Sequence, residues 1–432
     1  MSKKKEEKKG KRGEKNALVP RLRFPEFRDA GEWDGNTFGG AASFLNGRAY
    51  KQDELLDKGK YRVLRVGNFF SNNQWYYSDL ELEENKYCDN GDLLYAWSAS
   101  FGPRIWQGEK VIYHYHIWKV LEKSWVDRNF LFILLGYETE RMKSQSANGL
   151  GLMHITKGAI ESWKCFIPKI DEQKKIASCF SSLDELITVE AQKLATLKAH
   201  KKGLMQQLFP AEGETVPKLR FPEFRDTGEW GKLPLSKLVN SLDAGVSVVS
   251  GDRPAKNSES GILKTSAVTD GIFNPLENKV VLDKSELQRL KEPVCKNTII
   301  ISRMNTPALV GANAYVETSL ENIFLPDRLW AAKPKSGTSI RFIAFLLGSE
   351  KGRAALSELA TGTSGSMKNI TKSDVLALEI SVPLFPEQQK IAACLTSIDE
   401  LITAQTQKIE TLKAHKKGLM QQLFPSLDEV QG

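Results

Sequence analysis

The sequence predicts an α+β chain: two mixed α/β domains separated by two long antiparallel helices that pair as a coiled coil, with a pseudo-two-fold inside one polypeptide. Three observations lead there. Thr196 to Pro210 and Thr411 to Pro425 both read TLKAHKKGLMQQLFP. Val19 to Trp33 (VPRLRFPEFRDAGEW) and Val216 to Trp230 (VPKLRFPEFRDTGEW) differ at two positions. Each TLKAHKKGLM block ends a long segment whose apolar residues fall alternately four and three apart, the pattern of a heptad seam.

In chain order, residues 1–18 form a disordered basic tail and 19–34 the first copy of the repeated segment. Residues 35–167 form the first insert domain and 168–210 the first spacer helix. Residues 211–232 hold a linker and the second copy of the segment, 233–382 the second insert domain, 383–425 the second spacer helix and 426–432 a C-terminal tail. The VPxLRFPEF blocks lie 197 residues apart and the LKAHKKGLM blocks 215, so the inserts differ by 18 residues. Gly35 to Cys165 and Lys232 to Ile380, at 131 and 149 residues, satisfy that difference, and each is the size of a compact domain. Periods this long mean duplicated domains, not a solenoid.

Pro near each helix start and Pro just past its end are the expected punctuation. The first seam runs Ile176, Phe180, Leu183, Ile187, Leu194, Leu197, Leu204, Leu208. The second runs Ile391, Leu395, Ile398, Ile402, Ile409, Leu412, Leu419, Leu423. Polar residues interrupt it at Glu190 and Lys201, and at Gln405 and Lys416, and such breaks can fix register and partner. The second insert begins where helix one ends, and a compact domain keeps its termini close, so the helices run antiparallel. About 32 residues of seam make a spacer of roughly 48 Å, with a domain expected at each end.

Within the inserts, Tyr61 to Phe69, Asp92 to Ala96, Lys110 to Leu121 and Asn297 to Ser302 have strand patterns, whereas Phe130 to Gly136 and Ile340 to Leu347 have helical ones. Ile155-Thr156-Lys157 and Ile370-Thr371-Lys372 each follow a Gly-rich loop, and Thr371 with Asp374 fits a capping box.

Bulk properties exclude several classes. The chain has 432 residues, 41% of them hydrophobic, and no apolar run near the roughly 18 residues of a membrane span. The N-terminus lacks the apolar core of a secretory signal. The five cysteines show no CxxC spacing, and Cys179 and Cys394 occupy matching helix positions as small core residues of a reducing cytoplasm. Of the net charge of +8, the first 18 residues carry +5, leaving only +3 on the body. Bulk charge therefore does not identify a DNA-binding protein. There is no GxxxxGK[ST] loop, no HExxH pair and no Asp/Asn-Pro-Pro-aromatic quartet of the kind that holds an exocyclic amine for methylation. His114 and His116 share a strand face without a third ligand, so no metal or catalytic residue is assigned, and His200 and His415 are read as surface positions. A chain this long without a recognisable reaction site reads as a recognition subunit.

Two unlike inserts, each followed by P-x-x-x-E-Q-x-K-I-A (Pro168 to Ala177 and Pro383 to Ala392), resemble the specificity subunit of type I restriction-modification enzymes. The resemblance covers nearly everything beyond the tail. It implies that the inserts are target-recognition domains reading a bipartite, non-palindromic site on double-stranded DNA, with half-sites of three to five base pairs. It also implies two methyltransferase subunits and, for cleavage, two motor-nuclease subunits. S-adenosylmethionine, ATP and Mg²⁺ would belong to those partners, with no cofactor in this chain. A rival reading is a duplicated coiled-coil adaptor for proteins without DNA specificity; a third is a nucleic-acid enzyme with an unrecognised site.

Candidate DNA contacts come from basic and amide residues on loops and strand ends. Arg65 in VLRVGN and Lys264 in ILKTSA hold matching places and could reach a guanine edge or a phosphate. Asn68 could pair with adenine or hold a turn. Arg48 in NGRAYK and Arg253 in SGDRPAK sit on early loops, while Arg104 in SFGPRIW and Arg303 with Asn305 sit at strand exits. Ser364, Gly365, Ser366 and Lys368, with His154 and Lys157, precede or open a helix, where free N–H groups favour a phosphate. Each has a structural alternative as a solvated charge or loop cap. Trp75, Trp97, Trp106 and Trp118 are read as core. Lys198, Lys201, Lys202, Lys413, Lys416 and Lys417 form basic runs that face DNA, a partner or solvent.

Overall fold

Two ladders clip the inserts shut. Asp34–Thr37 pairs antiparallel with Lys164–Ile167, and Gly231–Pro234 pairs the same way with Glu379–Val382, so each insert begins and ends at one place. The computed structural model describes residues 18–70, 72–98, 101–146, 154–269, 271–361 and 367–425. It is mixed α/β and divides into two compact units, Met1–Ala191 with Gln407–Gly432, and Gln192–Thr406. No described helix is long and apolar enough to cross a membrane.

The inserts share little sequence but one strand plan. In the first unit a sheet runs Ala42–Asn46, Ile117–Glu122, Leu93–Ala96, Gly102–Ile105; in the second it runs Val239–Ala244, Leu329–Pro334, Thr298–Ser302, Asn313–Val316. A second sheet runs Tyr76–Ser78, Tyr61–Leu64, Val111–Tyr113, Tyr87–Cys88, matched by Asn278–Val280, Gly261–Leu263, Leu320–Phe324, Pro293–Val294. In both, the central pair of that sheet is parallel and its other pairs are antiparallel.

Two expected strands are corrected. The run from Tyr61 leaves the sheet after Leu64 and turns helical over Val66–Phe70. Lys110 to Leu121 is not one strand: Val111–Tyr113 belongs to one sheet and Ile117–Glu122 to the other, joined by a turn. Alternation continues across such a turn, so pattern alone does not reveal it. The expected helices appear as Arg128–Ser146 and Ile340–Gly348.

Two long helices, Ile170–Leu208 and Phe385–Leu423, run through the repeat, and their ends explain the duplicated blocks. In the first unit Arg23 donates to both Glu172 carboxylate oxygens at 2.8 and 2.6 Å and to Gly31 O at 2.6 Å. Trp33 Nε1 adds a bond to Glu172 at 3.3 Å. In the second, Arg220 grips Glu387 at 2.8 and 2.7 Å and Gly228 O at 2.5 Å. The side chains of both pairs are under 8% exposed, and the carboxylate partner raises each guanidinium above its ordinary pKa. Breaking one partner of a buried pair costs about 3–5 kcal/mol. The adjoining glutamines lock the preceding backbone: Gln173 Nε2 donates to Pro168 O at 2.8 Å, and Gln388 Nε2 to Pro383 O at 2.9 Å. The E-Q pair is thus a clamp on the helix start.

The repeated segments also hold the end of the opposite helix. Leu22 N donates to Gln422 O at 3.0 Å in the first unit, and Leu219 N to Gln207 O at 2.9 Å in the second. Beyond these points each helix inserts its Phe into a core. Phe424 is 2% exposed and packs against Trp33, Phe130, Tyr137 and Phe180 in the first unit. Phe209 packs against Trp230 and Phe342 in the second.

Within each unit the helices run antiparallel. In the first, Lys416 donates to Asp184 at 2.6 and 2.7 Å, and Lys408 bonds Glu190. In the second, Lys201 donates to Asp399 at 2.5 Å. Lys201 and Lys416 thus take the seam places their spacing gave them, and only their reading as part of the basic runs is corrected: they face the other long helix, not DNA or solvent. Lys202, by contrast, pairs with Glu350 at the surface. Cys179 and Cys394 are only partly buried, so they are not core residues as expected.

The exchange of helix ends is testable. Phe424→Ala is expected to remove about 3–5 kcal/mol and to raise amide exchange within residues 34–167, leaving 231–382 protected; Phe209→Ala gives the converse. Exchange rising in the covalently adjacent insert instead would refute this core assignment.

Candidate nucleic-acid interface

Where the chain passes from one sheet to the other, each unit gathers several loops around one turn. In the first unit the turn joins Val111–Tyr113 to Ile117–Glu122. Arg48 N donates to Tyr113 O at 3.1 Å, Tyr115 N to Arg48 O at 3.0 Å, and His114 N to Leu64 O at 2.9 Å. Trp97 N donates to His116 O at 3.0 Å, and Ile155 N to Trp97 O at 2.9 Å. Arg48, Arg65, Trp97 and His154 thereby converge on His114-Tyr115-His116. Gly47 is required here, since a Cβ would lie 2.4 Å from Tyr113 O and His114 O; in the second unit Gly245 meets the corresponding turn at Leu325 O.

Aromatic rings fill the first turn. Trp97 stacks on Trp118 at 5.9 Å and lies edge-on to His116 at 4.8 Å, with its Nε1 bonded to Tyr115 O at 2.7 Å. Tyr115 is exposed. Burial pushes His114 down to about 4, helped by His116 and Arg65, and lowers His116 as well, so both imidazoles are neutral at pH 7. Of the tryptophans read as core, Trp118 is buried, whereas Trp75, Trp97 and Trp106 are partly exposed.

The candidate residues take different places. Arg48 forms a bidentate pair with Glu54 at 2.8 and 2.7 Å, and Arg253 does so with Glu259 at 2.6 and 2.7 Å. Lys51 N and Lys256 N each add a bond to the same carboxylate at 2.8 Å, and Arg and backbone together hold Glu54 and Glu259 at about 2. The arginines staple their own loops. A shared R-x-x-K-x-x-E pattern (Arg48 to Glu54, Arg253 to Glu259) was visible in the sequence as the signal for this staple.

Arg65 and Lys264 stand at matching places, each directly after its strand. Arg65 lies over the Tyr76 ring at 4.2 Å with its buried Nε unpartnered, while Lys264 reaches Glu277 at 3.4 Å. Asn68 has the turn role: its amide donates to Asn72 O and Gln74 O at 3.0 and 2.7 Å, and its oxygen accepts from Arg65 N. Arg104 is corrected from a strand exit to the edge strand Gly102–Ile105, exposed and opposite Leu94. Asn305 closes a local turn through Thr306 N and Ser302 Oγ.

His154 is exposed and bridges Ser98; Lys157 opens the helix Lys157–Ser162 and pairs with Glu161 at 3.6 Å. Thr371 caps its helix as expected, accepting from Asp374 N, and the structure adds a matching cap at Thr156, which accepts from Ala159 N. Those helices have six residues each, which corrects the expected anion site: so short a helix contributes little dipole. Lys368 is part of a two-residue strand, whereas Ser364, Gly365 and Ser366 lie outside the described residues. Among the described residues no group of three or more His, Cys, Asp or Glu side chains could hold a metal ion.

The sequence reading passed over Arg328. It is exposed on the second unit's sheet-crossing turn, and the described residues offer it no ion pair. Its dipeptide signal, Asp327-Arg328, carries no distinctive spacing.

Comparison with known proteins agrees with this architecture. The family model described as "Type I restriction modification DNA specificity domain" matches residues 31–199 and 248–414, well over half the chain. The MjaVIII type I restriction enzyme specificity subunit of Methanocaldococcus jannaschii is 28% identical over 347 residues, covering 78% of this chain and 79% of that protein. A putative MjaX specificity subunit from the same organism is 25% identical, covering 70% and 68%. In fold, the S subunit of the type I restriction-modification system of M. genitalium superposes with a TM-score of 0.59 at 14% identity, covering 95% of this chain and 100% of that one. With one helix clamp, one strand plan and one sheet-crossing turn each occurring twice, and the family match falling on both copies, the chain belongs to the type I restriction-modification DNA specificity family.

Proposed function

We propose that this specificity subunit reads a bipartite, non-palindromic duplex target, one part through each unit, and docks two methyltransferase subunits. Through these it engages two motor-nuclease subunits. One observation carries the reading: a single backbone plan occurs twice, with different side chains at the same sheet-crossing turn. A duplicated scaffold bearing unlike contact sets suits a target whose two parts differ in sequence. S-adenosylmethionine, ATP and Mg²⁺ act in the partners, and adenine N6 is the methylated atom. The paired long helices serve as the spacer that sets the gap between half-sites.

Mapping N6-methyladenine across the genome of cells with and without this chain tests the assignment. A bipartite motif present with the chain and absent without it is expected; an unchanged methylome counts against the reading. Lys264→Ala is expected to weaken discrimination in one half-site only, and equal loss in both would remove Lys264 from the interface. One heptad inserted after Leu194 together with one after Ile409 adds ~10 Å of helix, or about three base pairs. The motif's gap should lengthen accordingly, and a motif with its original gap would end the spacer assignment.

A further inference from the structure

The two units present different side chains on one hydrogen-bonded backbone node, and the register aligns them residue by residue. After its strand Leu93–Ala96, Trp97 donates N–H to His116 O at 3.0 Å and accepts from Ile155 N at 2.9 Å. After its strand Thr298–Ser302, Arg303 donates N–H to Arg328 O at 3.0 Å and accepts from Ile370 N at 2.9 Å. The bridge between Ser98 and His154 has its counterpart in the pairing of Met304 with Asn369. Trp97 therefore corresponds to Arg303, His116 to Arg328 and His154 to Asn369.

The floor of both nodes is the same buried residue, Trp118 in one unit and Trp330 in the other, at 2% and 1% exposure. Above it the chemistry diverges. Trp97 covers Trp118 as a parallel ring at 5.9 Å. Over Trp330 stand two cations, Arg303 and Lys372, each at 5.9 Å. Polar atoms are also left over in the second node: Arg303 Nε, Trp330 Nε1 and Asn369 Oδ1 are buried without a hydrogen-bond partner. Such groups are costly unless something completes them. In the first node Trp97 Nε1 is bonded to Tyr115 O, and the buried unpartnered atoms beside that turn are Arg65 Nε and the Tyr50 hydroxyl instead.

Resting on the function proposed above, we propose that this node is the specificity-determining position of each unit: Arg303 and Arg328 read guanine in the half-site of the second unit, whereas Trp97 and His116 read the other half-site by apolar and neutral contacts. Arginine presents a rigid planar fork to the O6 and N7 acceptors of guanine, a directional match that the point charge of lysine reproduces poorly. A stacked indole instead favours methyl groups and ring faces, a neutral imidazole offers one donor and one acceptor, and neither releases counterions on binding.

The test is selection of randomised duplex DNA by the full chain and its variants, with thermal unfolding confirming that each is folded. Wild type is expected to enrich a bipartite motif with guanine in one half. Arg303→Lys and Arg328→Lys should lose that guanine preference by ~10-fold or more while keeping overall affinity and its salt dependence. Trp97→Ala and His116→Ala should relax the other half only. Enrichment of no motif by wild type would overturn the function and this inference together. A bipartite wild-type motif that all four variants leave unchanged, or relax in the same half, would overturn this inference alone.

Discussion

A bidentate carboxylate grip holds the architecture together. Glu172 and Glu387 each close on an arginine from the repeated VPxLRFPEF segment, and the backbone just upstream of that arginine bonds the end of the opposite long helix. Each insert is thereby fixed to the start of its own helix and the end of the other. Both pairs are buried, so removing either charge would strand its partner away from water. This explains why the framing blocks tolerate so little difference while the inserts diverge: the frame is a closed set of mutually dependent contacts, and the inserts need only preserve a strand plan.

Interhelical ion pairs extend the same logic along the seam. Lys201 with Asp399 and Lys416 with Asp184 occupy equivalent places in the repeat, because antiparallel pairing of identical helices writes each contact twice. A lysine in a heptad seam weakens it unless an acid stands opposite, and here one does. Register is thus specified by charge where leucine alone would allow slippage.

Much of this was legible in the amino-acid sequence because repetition and heptad spacing survive without any alignment. Fold class, the long helices, their antiparallel sense and the Thr371 cap followed from spacing and local chemistry. What stayed hidden depends on partners distant in sequence. Heptad spacing puts Lys201 in the seam, but the acid that answers it, Asp399, is set by the antiparallel register. Arg48 reads as a free loop cation until Glu54 folds back upon it, although the shared R-x-x-K-x-x-E spacing announced it. The common strand plan was invisible because alternation constrains polarity, not identity. Trp97 and Arg303 correspond only through hydrogen-bond register, which no pairwise comparison of letters reveals.

The placement of Phe424 also imposes an order on biosynthesis. Residues 192–406 are contiguous, so the second unit emerges whole from the ribosome and can collapse at once. The first unit, although synthesised earlier, lacks the closing turn of its core until residues 407–425 have left the exit tunnel. Its apolar surface around Trp33, Phe130 and Phe180 stays open for about half of translation, a window in which chaperone capture competes with aggregation. The domain made first is the one that matures last.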